Sequence, residues 1–336
     1  MRALQLQKAQ DLRVVDREIP ELGPDDVQID VEWGGICGSD LGYWRHGATG
    51  TAQMHHPLVL GHEVSGRIRA LGQDVEGLTV GQAVTVHPAR TTGPLPERLV
   101  GRDNLHPDLT YLGSAMRDPH TDGGFAQVLQ VRAAQVIPLP EGLDTRRAVL
   151  AEPLGVAMHA VHRAGDVEGA HVLVSGCGPV GLLVILAVKA AGAAHVTAID
   201  LAEPARAAAA AVGADVTTDA PEGMDERIRV AFECSGAPAS LDGIIRCIPR
   251  ASTIVQVGNL PVTPVTVSLG PIVSEEIDYR GTFRFVAEIE DAVRLLAGSE
   301  TAERVISHEF ALDEAEAAFT TAATDPTSSK VILRIG

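Results

Sequence analysis

Residues 1 to about 145 alternate hydrophobic and polar positions in short runs that are separated by glycine and proline. A period of two is typical of strands with one buried face, and clustered glycine and proline mark the turns between strands. We therefore expect an irregular, mostly β domain in this part of the chain. The clearest alternating runs are DDVQIDVEWGG, VSGRIRALG, GQAVTVHP and GGFAQVLQVRAAQVIPLP.

From about residue 146 the pattern changes to apolar helices that alternate with short, continuously apolar strands. HVLVSG (171–176) is typical of a buried parallel strand, and a helix is predicted from Pro179 to about Ala191. This alternation predicts an α/β fold with a doubly wound parallel sheet. The elements that continue it are HVTAID (195–200), EPARAAAAAVG, RVAFECSG (229–236), ASLDGIIRCI (239–248) and STIVQVG (252–258).

The last part of the chain predicts one more helix and one more strand. FRFVAEIEDAVRLLAG, after about residue 283, has the pattern of an amphipathic helix, and SSKVILRIG is a strand that we expect to rejoin the first domain. ASTIVQVG and the following PVTPVTVSLG resemble edge strands in need of a partner.

Composition limits the class of protein. A length of 336 residues predicts two domains, and a net charge of −17 argues against nucleic-acid binding, which needs a basic face. The most apolar run, PVGLLVILAV (179–188), is too short to span a membrane, and the first residues lack the apolar core of a signal peptide, so a cytoplasmic protein is expected. Four scattered cysteines favour free thiols or a metal ligand over disulfides: Cys37, Cys177, Cys234 and Cys247.

A dinucleotide-binding motif lies between a predicted strand and a predicted helix. SGCGPVG places Gly176, Gly178 and Gly181 in the spacing G-x-G-x-x-G. In this context the first glycine permits a tight turn, the second lets the backbone approach a pyrophosphate, and the third allows close helix–strand packing. Pro179 and Val180 open the helix whose N-terminus faces the phosphates. A glycine-rich turn without a ligand is the alternative.

The end of the next predicted strand supplies an acidic residue for the cofactor. Asp200 follows Gly176 by 24 residues, where a carboxylate binds the adenosine ribose. Leu201 and Arg206 complete the candidate cofactor site. Asp200 and Glu203 would repel a 2′-phosphate, which favours NAD over NADP, although Arg206 is near enough to leave NADP open.

Three distant segments offer metal ligands. Cys37 stands in the glycine-rich VEWGGICGSDLGYW, LGHEVSG supplies His62 and Glu63, and AEPLGVAMHA supplies Glu152. Each residue alone has an ordinary explanation as a buried thiol, a loop histidine or a surface carboxylate. Together they offer the thiolate, imidazole and carboxylate donors of a catalytic Zn²⁺ that keeps one position open for water or substrate.

These motifs resemble a known family. GHEVSGRIRALGQDV resembles the signature of the zinc-containing alcohol dehydrogenases of the medium-chain dehydrogenase/reductase family, and GGICGSD, EPLGVAMHA and SGCGPVG resemble further family blocks in family order. The resemblance implies a GroES-like, mostly β catalytic domain over 1–154 and 284–336. It also implies a Rossmann dinucleotide-binding domain over 155–283 and assembly as a homodimer or homotetramer.

Glu152, where other members have cysteine, is similar to the sorbitol (polyol) and threonine dehydrogenase branch. This likeness implies one catalytic zinc held by Cys37, His62 and a glutamate, with water. Glu63 and Glu152 both match family positions, so either could ligate directly while the other acts through water. The resemblance also implies that Ser39 accepts the proton of the substrate hydroxyl, with a capping or turn role as the alternative.

Two stretches depart from the family pattern. Residues 87–108 contain no cysteine where members usually carry four, and His87 and His106 are too few to rebuild a closed site, so we predict no structural zinc. Residues 217–236 leave only a short connection between two strands, so the usual crossover helix is expected to be reduced to a loop.

Two segments bear on the substrate. YLGSAMRDPHTDGGFAQ (111–127) resembles the L-idonate 5-dehydrogenase group, and Arg284 matches a position where polyol dehydrogenases place a substrate-facing arginine. A bidentate arginine suits the carboxylate of a sugar acid. Tyr43 is a further candidate substrate contact. Four basic residues nearby in sequence have a solvated loop as an equal or favoured explanation: Arg45, His46, His55 and His56.

The sequence therefore predicts a zinc- and NAD-dependent dehydrogenase that oxidises a secondary hydroxyl of a sugar acid or polyol, with L-idonate to 5-ketogluconate favoured. Sorbitol, xylitol or threonine is the alternative substrate. A zinc-free quinone reductase and a non-catalytic NAD-binding protein are alternatives of a different class. The presence of Cys37, His62 and Glu152 together argues against both.

Overall fold

The structure, a computed structural model that describes residues 1–221 and 225–336, divides into two compact units. Unit 1 comprises Met1–Glu152, Ile289–Gly298 and Ile306–Gly336, and unit 2 comprises Pro153–Glu288 and Ser299–Val305.

The units are close to the domain bounds that the sequence predicts, 1–154 with 284–336 and 155–283. They differ in that residues 153–154, 284–288 and 299–305 group with unit 2. The assignment of these units as domains stays a prediction.

The described residues form strands and helices in the following order. The strands are β1 (Arg2–Lys8), β2 (Asp11–Asp16), β3 (Asp26–Gly35), β4 (Ala48–Thr49), β5 (Ala52–Gln53), β6 (Leu58–Val59), β7 (Glu63–Leu71), β8 (Ala83–Val86), β9 (Ala89–Arg90), β10 (Thr110–Tyr111), β11 (Val128–Arg132), β12 (Val136–Pro138), β13 (His171–Ser175), β14 (His195–Ile199), β15 (Val216–Thr218), β16 (Ile228–Glu233), β17 (Thr253–Gln256), β18 (Asp278–Gly281), β19 (Ile306–Ala311) and β20 (Lys330–Arg334). The helices are α1 (Gly38–His46), α2 (Thr145–Ala148), α3 (Ala151–Ala164), α4 (Pro179–Ala190), α5 (Glu203–Val212), α6 (Pro238–Cys247), α7 (Gly270–Ser274), α8 (Ile289–Gly298) and α9 (Ala315–Thr324). None of the described helices is long and apolar enough to cross a membrane.

Unit 1 is built on a mostly antiparallel sheet around β3. Its strands follow the order β12-β8-β7-β3-β20-β19, and β11 also pairs with β3. The predicted final strand, β20, pairs antiparallel with β3, so the C-terminus rejoins the first unit as expected. Alternate side chains such as Val27, Ile29 and Val31 point into the core, as the period of two in this segment predicts.

Unit 2 contains a parallel sheet in the order β15-β14-β13-β16-β17-β18. This is the order of a doubly wound dinucleotide-binding fold, in which successive strands are added first on one side of β13 and then on the other. The predicted doubly wound α/β fold is therefore confirmed. Helix α4 is buried from Gly181 to Val188, which explains its almost wholly apolar sequence.

The connection between β15 and β16 includes part of the loop predicted over 217–236. Residues 222–224 of that segment lie outside the described residues. The described flanks end β15 at Thr218 and begin β16 at Ile228.

Two sequence-based expectations for the segment between residues 251 and 298 are wrong in detail. The amphipathic helix begins at Ile289 and not near residue 283, because Arg284 has a positive φ of 53° that a helix does not accommodate. The segment 251–258 is not an edge, because β17 pairs with β16 on one side and with β18 on the other. Residues 261–269, with prolines at 261 and 264, form no strand among the described residues.

Candidate metal centre and dinucleotide site

The register of two paired strands brings Cys37 to the candidate metal centre. Cys37 lies between the end of β3 and the start of α1, and its amide donates to Asp40 Oδ2 at 2.9 Å. Two residues earlier, Gly35 pairs with Glu63 in the β3–β7 ladder. A Cβ at position 35 would overlap the Glu63 carboxylate, so glycine at this position lets the two strands present their polar groups together.

Glu63 begins β7 on the other side of this register, and His62 immediately precedes that strand. The amide of Gly61 donates to Asp40 Oδ1 at 3.2 Å, and His62 Nδ1 lies 4.0 Å from the same oxygen. His62 and Glu63 are buried, whereas Cys37 is half-buried. One ligand atom from each of Cys37, His62 and Glu63 lies within 4.8 Å of the other two, a spacing that suits shared contact with one metal ion.

Glu152 lies at the start of α3 and is held by a tyrosine that the sequence analysis did not identify. The Tyr111 hydroxyl donates to Glu152 Oε1 at 2.5 Å, and the Tyr111 ring contacts the His62 ring edge-on at a centroid distance of 5.6 Å. Glu152 is buried but is not a member of the tight group formed by the other three predicted ligands in the described chain. Its role as a ligand therefore stays a prediction.

The electrostatics of the centre favour positive charge. Burial by itself would lower the pKa of His62, but the neighbouring Cys37, Asp40 and Glu152 raise that pKa to about 10. Burial raises the pKa of the Asp40 and Glu152 carboxyl groups. A buried site crowded with acidic groups is one in which a divalent cation relieves repulsion.

A buried lysine supplies the countercharge and was missed by the sequence analysis. Lys330 begins β20, and its ammonium lies 2.7 and 2.6 Å from the two carboxylate oxygens of Glu63. It also donates to the carbonyl of Ile36 at 3.1 Å. The sequence carries one signal for this residue, a lysine at the head of the apolar run VILRI.

The donor set fits a zinc ion. A thiolate, an imidazole and a carboxylate are ligands that zinc accepts together, and three protein ligands leave a fourth position for water or substrate. Cys37, His62 and Glu63 are close enough to share the ion, and Glu152 lies beside His62 and Tyr111. Asp40 follows Cys37 by only three residues, so the hydrogen bond between its carboxylate and the Cys37 amide could have been predicted from CGSD.

The three glycines of the dinucleotide motif each meet a different constraint. Gly176 has a φ of 91°, and Gly181 packs so closely on the carbonyl of Gly176 that a Cβ would overlap it. Gly178 caps the N-terminus of α4 with no atom near the position of a Cβ, and Pro179 opens that helix. The loop thus leaves the open approach to a helix N-terminus that a pyrophosphate needs.

The predicted acid lies at the end of β14 and organises the same loop. Asp200 Oδ2 accepts from the amide of Cys177 at 2.8 Å, and Oδ1 accepts from the amide of Ala202 at 2.9 Å. Arg206 donates to the carbonyls of Asp200 and Leu201 at 2.8 and 2.9 Å. Leu201 is 87% exposed, so it presents an apolar surface beside the acid. Val180 is half-buried in the first turn of α4.

The predicted substrate contacts lie in different surroundings. Tyr43 is buried, and its hydroxyl accepts a hydrogen bond from the amide of Ala115 at 2.9 Å. Arg284 places its guanidinium 4.7 Å from the centre of the Phe283 ring. Ser39 lies half-buried in the first turn of α1. The roles of Tyr43, Arg284 and Ser39 in the reaction stay predictions.

The basic residues in the last turn of α1 and in the segment that follows it lie mostly at the surface. Arg45 donates to the carbonyl of Ala323 at 2.7 Å, and the amide of His55 donates to His120 Nε2 at 2.9 Å. His46, His55 and His56 line a surface cavity of about 540 Å³.

The segment that lacks the family's cysteines is organised by local hydrogen bonds. His87 Nδ1 accepts from the amide of Ala89 at 3.2 Å, and His106 Nδ1 accepts from the amide of Asp108 at 3.0 Å. The absence of a structural zinc from this segment stays an expectation.

Two protein-family models match this chain. The alcohol dehydrogenase GroES-like domain matches residues 23–141, and the zinc-binding dehydrogenase domain matches residues 179–298. The first match covers most of unit 1 and the second covers much of unit 2.

Curated relatives and solved structures match the chain over nearly its whole length. An L-idonate 5-dehydrogenase (NAD(P)(+)) of Escherichia coli is 34% identical and covers 91% of this chain and 90% of its own length. A sorbitol dehydrogenase of Bos taurus is also 34% identical, covering 93% and 90%. The crystal structure of an E. coli L-idonate 5-dehydrogenase superposes with a TM-score of 0.92 at 31% identity over 99% of this chain and 97% of that one. A 2R,3R-butanediol dehydrogenase of Bacillus subtilis gives 0.88 at 29% identity over 99% of both chains.

Proposed function

The chain belongs to the zinc-binding alcohol dehydrogenase family, and we propose that it oxidises a secondary hydroxyl of a sugar acid or polyol with NAD as hydride acceptor. The observation that carries this proposal is the buried group of Cys37, His62 and Glu63 in a chain that also holds the glycine loop 176–181. L-Idonate, giving 5-ketogluconate, is the favoured substrate.

The residues of the candidate metal centre have different proposed roles in the reaction. When bound, Zn²⁺ lowers the pKa of a substrate hydroxyl so that its proton leaves near neutral pH. Cys37 and His62 would hold one ion per subunit, with Glu63 or Glu152 as the third protein ligand and the other acting through water. The proposed role of Asp40 is to orient His62, because its carboxylate is held by the amides of Cys37 and Gly61 and lies 4.0 Å from His62 Nδ1.

Ser39 is the proposed acceptor of the substrate proton. It lies two residues after Cys37 in the first turn of α1, and its half-buried Oγ can take the hydroxyl proton and return it to solvent. Without such an acceptor the proton would remain in a buried site that already holds several ionisable groups.

The dinucleotide loop supports NAD as the cofactor. Gly178 leaves the approach to the α4 N-terminus open, and Asp200 presents a carboxylate beside it for the ribose. Asp200 and Glu203 disfavour a 2′-phosphate, and Arg206 donates to two backbone carbonyls in this structure. NADP is the less favoured cofactor in this proposal.

The preference for a sugar acid rests on two sequence features and on the relatives. The segment 111–127 resembles the L-idonate 5-dehydrogenase group, and the proposed role of Arg284 is to bind the substrate carboxylate. Tyr43 is the second proposed substrate contact. The likeness to sorbitol dehydrogenases makes an uncharged polyol the competing substrate.

We also propose that the protein assembles as a homodimer or homotetramer. Unit 2 exposes several apolar side chains in the segments before and after its edge strand β18, and burial of such side chains against another copy is favourable. The exposed side chains are Val262, Leu269, Val273 and Phe283. Sedimentation equilibrium should give a dimer or tetramer mass that Val273→Glu lowers, and a monomeric wild-type protein would contradict this part of the proposal.

The decisive experiment measures NADH formation by the zinc-loaded protein with L-idonate, sorbitol and threonine, before and after chelation. We expect the highest kcat/KM with L-idonate, loss of turnover on chelation and recovery when zinc is returned. Turnover only with sorbitol would replace the sugar acid by a polyol. Zinc-loaded protein that reduces NAD with none of the three would overturn the proposed substrate class.

A further inference from the structure

Lys330 has an unusual environment for a lysine. Its side chain is 2% exposed, at the start of a strand whose next residues are apolar and buried. The ammonium has three donors, and it has three oxygen partners: Glu63 Oε1, Glu63 Oε2 and the Ile36 carbonyl. All its hydrogen-bonding capacity is therefore used inside the protein, which is the condition for burying a charge.

These three oxygens belong to the two segments that carry the closest metal ligands. Ile36 directly precedes Cys37, and Glu63 directly follows His62. Lys330 comes from a third segment, because β20 pairs with β3 and the amide of Ile36 donates to the carbonyl of Val331 at 3.0 Å. One ammonium thus joins the cysteine turn to the histidine–glutamate strand.

The carboxylate of Glu63 is fixed on two sides. Gly35 leaves the space that the carboxylate occupies, and Lys330 binds both carboxylate oxygens at nearly equal distances. Because each carboxylate oxygen has two lone pairs, Glu63 can keep this ion pair and still direct a lone pair toward a metal ion. The ion pair therefore sets the direction from which Glu63 can approach the ion.

Glu152 is held by a different side chain from the one that binds Glu63. The Tyr111 hydroxyl donates to Oε1 of Glu152 and leaves Oε2 outside that hydrogen bond. Loss of Lys330 should consequently free Glu63 while leaving the hydrogen bond between Tyr111 and Glu152 in place.

We propose that Lys330 is a positioning residue of the metal centre, which orients Glu63 and the Cys37 turn and so sets metal affinity and ligand geometry without touching metal or substrate. This inference rests on the proposed zinc site. Partners that orient metal ligands contribute to affinity because a ligand held in place loses less freedom when the ion binds.

The test compares Lys330→Met, Lys330→Gln and Lys330→Arg with the wild-type protein. Zinc affinity is measured by competition with a chromophoric chelator, and ligand geometry by the visible absorption spectrum of the Co²⁺-substituted protein. We expect Lys330→Met to bind zinc about 10- to 100-fold more weakly. The Co²⁺ spectrum should shift in the same variant, and Lys330→Arg should recover most of both properties because it keeps the charge and the donors.

A matched control removes another lysine–carboxylate pair. Lys189 contacts Asp215 at 2.5 Å in unit 2, and Lys189→Met should leave zinc affinity and the Co²⁺ spectrum unchanged. Circular dichroism identifies variants that do not fold. If Lys330→Met is one of them, Lys330→Gln against Lys330→Arg carries the comparison, because glutamine keeps a donor but not the charge.

The outcomes separate this inference from the proposed function. Wild-type protein that binds neither zinc nor Co²⁺ would remove the metal centre and with it the role of Lys330. Wild-type protein that binds zinc while every folded Lys330 variant binds it equally well, with the same Co²⁺ spectrum, would overturn the role of Lys330 alone.

Discussion

The metal centre and the dinucleotide loop arrange their functional groups in different ways. The loop uses contiguous residues, 176–181, whose own backbone creates the turn and the open helix N-terminus. The candidate metal centre takes Cys37, Glu63 and Lys330 from separate segments that the sheet register and strand β20 bring together. A contiguous site depends on local conformation, whereas a dispersed site depends on every element that sets its register.

The sharpest test of this difference is Cys37→Ala. It should abolish zinc retention and lower kcat/KM by about 10³-fold or more, because the thiolate is a proposed ligand of the catalytic ion. NADH binding, followed by its fluorescence, should persist because the dinucleotide loop lies in the other unit. Cys247→Ala is the control and should keep both properties. Loss of NADH binding in Cys37→Ala would show that the two sites are not independent.

Two glycine variants test whether the conformation and the NADH affinity of the dinucleotide loop depend on its own glycines. Gly181→Ala should destabilise the protein by about 1–3 kcal/mol, because the new Cβ overlaps the carbonyl of Gly176. Gly178→Ala meets no protein atom within 4 Å, so its melting temperature should be unchanged while NADH binds about tenfold more weakly. Thermal unfolding and fluorescence titration measure the two effects. Equal NADH affinity in Gly178→Ala and wild type would remove Gly178 from the pyrophosphate site.

A buried carboxylate in unit 2 offers a comparison with Glu63. Glu288 accepts from His159 at 2.7 Å and from the amides of Val286 and Ala287. Burial by itself would raise the pKa of Glu288, but hydrogen bonds from His159, His162 and nearby backbone amides lower it from 4.5 to about 2. A lowered pKa in the folded state stabilises the protein above the unfolded value, and this stability is lost as the pH falls toward the folded value.

Glu288→Gln should therefore cost about 2 kcal/mol of unfolding free energy near neutral pH. The difference between variant and wild type should shrink as the pH falls below 4.5 toward about 2. Urea unfolding at several pH values measures it, and zinc content should not change. If the difference in unfolding free energy does not depend on pH, Glu288→Gln destabilises the protein through altered packing and not through the lost charge.

The smallest effect concerns thiol reactivity. Burial and the nearby Asp200 raise the pKa of Cys177 to about 12, so this thiol should resist alkylation near neutral pH whether or not zinc is present. Cys37 should become alkylated only after chelation, because the metal protects it. Peptide mass spectrometry with iodoacetamide distinguishes the two sites. Labelling of Cys37 at the same rate before and after chelation would contradict its role as a ligand.

Elements that depend on a local sequence pattern lie close to their predicted positions. The strand at 171–176 and the helix from Pro179 are found within a residue or two of their predicted ends, because apolar runs and a proline at the first turn act within one element. The helix predicted near residue 283 begins later, since the positive φ of Arg284 is a property of its surroundings that no hydrophobic pattern reports.

The candidate ligands were recognisable because cysteine, histidine and glutamate are informative residue types in family-like motifs. Tyr111 and Lys330 were not recognised, since a tyrosine and a lysine have many ordinary uses and only their contacts reveal these roles. The same limit applies to the supposed edge at 251–258, which gains a neighbour from β18, a short strand with a weak pattern.

The sequence by itself determined the doubly wound parallel sheet, the dinucleotide loop and the types of ligand available, because periodicity and motif spacing act over short stretches of chain. The tertiary structure decided how those ligands meet. The pairing of Gly35 with Glu63 puts Cys37 beside His62, and β20 returns Lys330 to Glu63 across 267 residues of sequence. Such contacts depend on strand register and on the burial of charge, and both are set only when the whole sheet has formed.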